Sequence, residues 1–227
     1  GLGFADQAIS LETIIKDWPL VIDNAKWLVI GTIPLASEIS SKAFLWCIEN
    51  ALDAGIKIVL DLNWRPTFWR NQSSKVLVPS LQEKNTITSI LNNVSLIKLA
   101  REEADWFFNT SNPSKISSSL SNKPSVIVTD GSNPILWLLN NHIGKSFAIS
   151  PPSIVDTTGA GDSFTAGLIY KLLSVELDQI SKERAEEIIQ FATACGAHVC
   201  KGVGAIDPQP YREDIKQLLS LSDGGKS

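Results

Sequence analysis

Nine consecutive residues, Asp156-Thr157-Thr158-Gly159-Ala160-Gly161-Asp162-Ser163-Phe164, carry the residue types from which an anion site with an adjacent base is built. Gly159, Ala160 and Gly161 open directly into Phe164, Leu168 and Leu172, spaced four apart, so a small-residue loop feeds the first turn of a helix. The N–H groups of that turn lack partners within the helix, and the aligned peptide dipoles make that end partly positive. Small side chains let the oxygens of a ligand approach those amides closely. Asp162 stands where the anion would dock, a position that a pure phosphate cradle would not give to a carboxylate. It is suited to take a proton from a hydroxyl while the amides hold the incoming phosphoryl oxygens. The same letters are also compatible with a plain glycine turn in which Asp162 merely complements the helix dipole. A dinucleotide fingerprint does not fit, because its third glycine is here Phe164, and no Gly-Lys-Ser/Thr follows to make a Walker loop.

The elements that must position these residues follow from apolar periodicity. A helix is expected over 11–17, stopped near Pro19, and 27–31 and 57–62 read as strands buried on both faces. Between them, 40–54 has helical spacing closed by Gly55, so the unit is a right-handed βαβ. Further strands are expected at 96–100 and 125–129, a weaker helix at 80–93, and a helix starting at Arg101 with acids in its first turn. Segments 135–139 and 143–149, joined at Asn140-Asn141, read as an edge hairpin, with His142 at its turn and given no role. Ser181 is an expected N-cap for a long amphipathic helix whose small residues, Ala192, Ala194, Gly196 and Ala197, allow the close approach of a flat group or, more simply, of another helix. A final helix is expected over 211–219. The fold class is therefore α/β: a Rossmann-like open, mostly parallel sheet flanked by helices, with an antiparallel edge hairpin.

In such sheets ligands bind beyond the carboxyl ends of the strands. Asn63 and Arg65 emerge there, Arg65 offering a planar fork to a phosphate and Asn63 both donating and accepting. An alternative has Arg65 paired with a local carboxylate while the neighbouring tryptophans cover core. Glu103 has a similar double reading, since an acid in a first turn also answers the dipole.

The stretch D-T-T-G-A-G-D-S-F resembles, nearly letter for letter, the C-terminal signature of the ribokinase-like (PfkB) carbohydrate kinases. The resemblance implies that Asp162 is the catalytic base and that Gly159, Ala160 and Gly161 form the anion hole. It also implies a monovalent cation, K+, at Asp156 and Thr158. The D-x-N-x-R-x-x-x-W pattern of Asp61, Asn63, Arg65 and Trp69 is similar to a segment of fructokinases and ketodeoxygluconate kinases, which places Asn63 and Arg65 near the sugar and the transferred phosphate. Of the family's K-x-N-x-x-E, Lys98 and Glu103 are in register while Ala100 replaces the asparagine. Glu103 is then expected to order Mg2+ through water, and Lys98, Thr129, Gly131 and Thr193 to lie at ATP. The implied activity is transfer of the γ-phosphoryl of ATP to a primary hydroxyl of a sugar, with fructose ahead of ketodeoxygluconate and ribose. A non-catalytic nucleotide-binding remnant of the same fold is the alternative.

Bulk properties narrow the classes. In 227 residues there is room for a single α/β kinase domain, and a formal net charge of −4 with pI near 5.2 argues against a nucleic-acid partner. Three cysteines without C-x-x-C spacing favour a reducing, cytoplasm-like compartment, and no apolar run is long enough for a membrane span. With no methionine, Gly1 is expected not to be the encoded start. The family's N-terminal strands and sugar-covering β lid have no counterpart in 1–26, and a homodimer would belong to the longer protein. Residues 222–227 read as a loose tail.

Overall fold

The computed structural model describes residues 5–70, 76–151 and 153–224. Its α-helices and strands run in the order α1 (Leu11–Ile22), β1 (Trp27–Gly31), α2 (Glu38–Asp53), β2 (Lys57–Asp61), α3 (Pro66–Trp69), α4 (Leu81–Thr88), β3 (Leu96–Ala100), α5 (Arg101–Phe108), α6 (Pro113–Ser118), β4 (Ser125–Asp130), β5 (Asn133–Leu139), β6 (His142–Ser146), α7 (Ala160–Leu172), α8 (Lys182–Val199) and α9 (Arg212–Gly224). The strand order is sequential, β1-β2-β3-β4-β5-β6. Two compact units divide the chain, residues 1–128 and 129–227.

In the first unit, β1, β2 and β3 run parallel, as the βαβ reading requires. Ile58, Val59, Leu60, Leu96, Ile97 and Leu99 are wholly buried, the near-continuous apolar runs of strands covered on both faces. β1 departs from that expectation. Ile30 is buried but Val29 is 48% exposed, so this strand is covered on one face only. α1 also corrects the sequence reading, continuing through Pro19 to Ile22. Leu11, Ile14, Trp18 and Ile22 form its half-buried stripe, and Trp18 meets Trp46 of α2 edge to face at 5.3 Å. Packing of that stripe outweighs the one backbone bond that a proline removes. Over 80–93, Ser80 starts α4 with a reciprocal capping box to Glu83, and only a short 3-10 turn follows at Leu91–Asn93.

The second unit joins the β5–β6 hairpin to α7, α8 and α9. Leu139 faces His142 across a two-residue turn in which Asn140 (φ 45°) and Asn141 (φ 63°) are both left-handed, as a hairpin of this length prefers. β6 ends at Ser146, short of the expected 149. α7 and α8 pack closely because small residues face each other. A Cβ on Gly167 would sit 2.7 Å from Cys195 Sγ, and one on Gly196 2.9 Å from the carbonyl oxygen of Ala160. Phe191, Ala194, Cys195 and Ala197 of α8 share a core with Ile215 and Leu218 of α9. α9 itself runs to Gly224, into the stretch that composition reads as tail; residues 225–227 lie outside the described residues. Among the described residues no helix is long and apolar enough to cross a membrane.

Candidate active site

The loop before α7 is shaped by its own chemistry. Ala160 N–H donates to the carbonyl of Thr157 at 3.2 Å, closing a turn in which Gly159 takes φ 80°, ψ −1°. That is the left-handed position which a type II turn gives to glycine. A side chain is excluded on steric grounds as well, since a Cβ on Gly159 would lie 2.6 Å from that of Ala205. Asp156 ties the loop down. Its Oδ1 accepts from the amide of Thr158 at 2.9 Å and from the Thr158 hydroxyl at 2.7 Å, while Oδ2 accepts from the amide of Gly204 at 2.9 Å. The Gly204 amide, followed by the hydroxyl and the amide of Thr158, holds the Asp156 carboxyl below the usual carboxylate range.

The three amides that the sequence assigns to an anion hole are therefore not equivalent. That of Ala160 is turned back into the loop, whereas those of Gly159 and Gly161 have no partner among the described residues, nor has the next amide, that of Asp162, at the open end of α7. The Asp162 side chain is exposed and makes no ion pair or hydrogen bond among the described residues. Ser163, next in the chain, is buried and donates to the Cys195 carbonyl at 3.1 Å, which anchors the first turn of α7 on α8.

Beside that turn lies a cavity of about 480 Å³ within the second unit. Its lining brings together Thr129 and Gly131 from the end of β4, Ala160 and Gly161 from α7, and Thr193 from α8. Gly131 has φ 54°, a backbone state that suits glycine where β4 turns into β5. Thr193 donates its hydroxyl to the Ile189 carbonyl of its own helix at 2.7 Å. Gly196 and Ala197, two of the small residues noted in the sequence for a close approach, also line the cavity, as does Cys200, and none of the three was assigned to the site. The signal was present: they stand three, four and seven positions after Thr193, the spacing of one helix face. Ile149 and Ile154 add apolar wall from the segment ahead of the loop, for which no local pattern exists.

The first unit holds its own polar cluster at the carboxyl ends of β2 and β3. Lys98 Nζ donates to both oxygens of Asp61, at 3.1 and 2.9 Å, in a buried pair. Glu103, 7% exposed, accepts from the amide of Trp64 at 2.6 Å through Oε1 and from that of Ala100 at 2.7 Å through Oε2. Burial pushes the Glu103 carboxyl up, and the amides of Ala100 and Trp64 pull it back only in part. Asn63 sits at φ 42°, a left-handed state that asparagine tolerates better than most residues. Arg65 is exposed and makes no ion pair among the described residues, while Trp64 does cover core: it is 3% exposed, with its ring tilted against that of Trp69 and edge-on to that of Phe107. Asp61 opens the pattern read from the sequence but was given no role there. Its place two positions before Asn63 at a strand end was the available signal.

Comparison with known proteins gives the following. The model of the pfkB family carbohydrate kinases matches residues 6–212. The probable chloroplastic fructokinase-6 of Arabidopsis thaliana is 29% identical over 216 residues, covering 92% of this chain and 53% of the relative. The chain thus spans about half the length of that relative. Among solved structures, fructokinase with bound ATP from Xylella fastidiosa superposes with a TM-score of 0.81 at 19% identity, covering 98% of this chain and 69% of that one. Fructokinase from Vibrio cholerae O395, in a form with fructose, ADP and calcium ion, gives 0.71 at 23% identity, with 86% and 61% covered. At these identities the two structures establish the fold.

Proposed function

This chain belongs to the pfkB family of carbohydrate kinases, and on that premise we propose that it carries the nucleotide site and the base of an ATP-dependent sugar kinase, with fructose as the acceptor. The observation that carries the reading is the single cavity onto which Thr129, Gly131, Gly161 and Thr193 all open, ending at the unpartnered amides of the first turn of α7. Phosphoryl transfer asks a protein for in-line placement and for charge stabilisation, with little covalent chemistry. The amides of Gly161 and Asp162, with the Gly159 turn behind them, are placed to receive phosphoryl oxygens. The Asp162 carboxylate accepts the proton of the sugar's primary hydroxyl as its oxygen attacks phosphorus. Asn63 and Arg65 orient the acceptor, and Lys98 belongs to the phosphate side in the same resemblance.

Mg2+ keeps several waters and takes phosphate oxygens, so it needs no protein cage. Among the described residues there is no cluster of three or more His, Cys, Asp or Glu that could hold a metal. When bound it neutralises phosphate charge, and the remaining lone pairs of Glu103 are the groups available to its waters. A potassium ion at Asp156 and Thr158 would meet a carboxylate oxygen and a hydroxyl oxygen that lie 2.7 Å apart and bind each other here. The three cysteines are free thiols, and we place the protein in a reducing, cytoplasm-like compartment. A homodimer is the assembly the resemblance implies for the full-length protein.

The test is ATP-dependent phosphorylation of fructose by the full-length protein and by Asp162→Asn. We expect turnover to fall roughly 10²–10⁴-fold in the variant with ATP affinity within about threefold. Unchanged turnover removes Asp162 from the base role. The second reading, nucleotide binding without transfer, is favoured by one observation: Lys98 is committed to Asp61. ATP binding by the full-length protein with no product from any sugar would establish it.

A further inference from the structure

Trp64 is held at both ends. Its amide donates to Glu103 at 2.6 Å, across 39 positions of sequence, and its indole N–H donates to the Leu77 carbonyl at 2.7 Å. Its ring lies 5.4 Å from that of Trp69 and 6.2 Å from that of Phe107, with the Arg70 guanidinium 5.9 Å from its centroid. The residues on either side are the two that leave the sheet edge as acceptor candidates, Asn63 with φ 42° and Arg65 with φ −132°. Both lie outside the regular strand and helix, Arg65 only capping α3 by accepting from the Phe68 amide at 3.1 Å, and Trp64 is the point between them tied to a distant element. The fixing group is buried: Glu103 spans Trp64 and Ala100, one amide on each carboxylate oxygen. Two N–H groups converging on one side chain require two acceptors. A carboxylate supplies both, whereas a carboxamide supplies one acceptor and one more donor.

We propose that Glu103 is a positioning residue for the acceptor, clamping the loop that leaves β2 to the start of α5 and so fixing Asn63 and Arg65. This assigns to Glu103 a task separate from ordering the waters of a metal, and it rests on the reading that Asn63 and Arg65 face the sugar. The bond to Trp64 is buried and that to Ala100 half-buried, and together they hold the loop so that the acceptor meets a formed site.

Two variants of the full-length protein test it. Glu103→Gln keeps the volume and leaves one of the two amides facing a donor. Ala100→Pro removes one amide while leaving the carboxylate intact, at a residue whose φ of −75° proline adopts. We expect amide exchange at Trp64 and Ala100 to be slow in the parent, and at least one of the two to exchange about tenfold faster or more in Glu103→Gln. In both variants the KM for fructose should rise about tenfold; in Ala100→Pro, which leaves the carboxylate in place, the KM for ATP and the half-saturating Mg2+ should stay within about twofold of the parent. Unchanged exchange at both amides of Glu103→Gln overturns the clamp. So does a rise in the Mg2+ requirement with an unchanged fructose KM, or an Ala100→Pro variant with parental kinetics. If the parent itself phosphorylates no sugar, the kinase reading fails, and the exchange result alone decides whether Glu103 clamps the loop.

Discussion

At Gly159 two independent constraints fall on one residue. The left-handed φ disfavours any side chain, and Ala205 occupies the space where a Cβ would go. Gly159→Ala should therefore lower stability by about 1–3 kcal/mol. It should also weaken ATP binding, because relief of the clash moves the turn that presents Gly161. Denaturant unfolding and nucleotide titration check both, and parental values for the two would mean that the loop adapts freely. Asp156 acts at the same scale by a different route, joining Thr158 and Gly204 through one carboxylate. Asp156→Ala is expected to speed amide exchange at Gly204, about tenfold or more, as a partnered amide opens to water.

Among the elements, α8 presents one face, Thr193, Gly196, Ala197 and Cys200, to the cavity and is anchored by its cap at the far end. Two substitutions separate those roles. Gly196→Val puts bulk where a Cβ already meets the Ala160 carbonyl at 2.9 Å. We expect a loss of about 1–3 kcal/mol in stability, from overpacking, together with at least tenfold weaker ATP binding. Ser181→Ala removes the side chain that accepts from the Arg184 amide at 3.2 Å and should cost about 1 kcal/mol with nucleotide affinity unchanged. Equal effects of the two on ATP binding would mean that the helix transmits strain along its length and is not a rigid wall.

For the whole molecule, the dependence of stability on pH combines terms of opposite sign. The Arg70 guanidinium, which donates to Glu83 and is bridged to it by a short contact, lowers the Glu83 carboxyl from 4.5 to about 2. That contribution is present above pH 4.5 and is lost as pH falls toward about 2. Glu103 works the other way: burial raises it, so its contribution is complete below 4.5 and is lost as pH rises through its folded value. Unfolding measured between pH 5 and pH 2.5 should show a steep loss of stability in the parent and a shallower one in Glu83→Gln. Parallel curves would mean that the pair with Arg70 contributes nothing to acid sensitivity.

The sequence by itself determined what depends on neighbours in the chain. The turn at Gly159, the start of α7, the Ser181 cap and the Asn140-Asn141 hairpin are set by φ preferences, capping chemistry and periodicity, which operate within a few residues. The open face of β1 and the passage of α1 through Pro19 were not legible, because both depend on what packs beside them. Tertiary structure alone paired Lys98 with Asp61, aimed Glu103 at the Trp64 amide and gathered Thr129, Gly131 and Thr193 around one cavity. Those contacts join residues tens of positions apart, and their partners are chosen by burial: a polar group shut away from water must find whatever donor or acceptor the fold delivers.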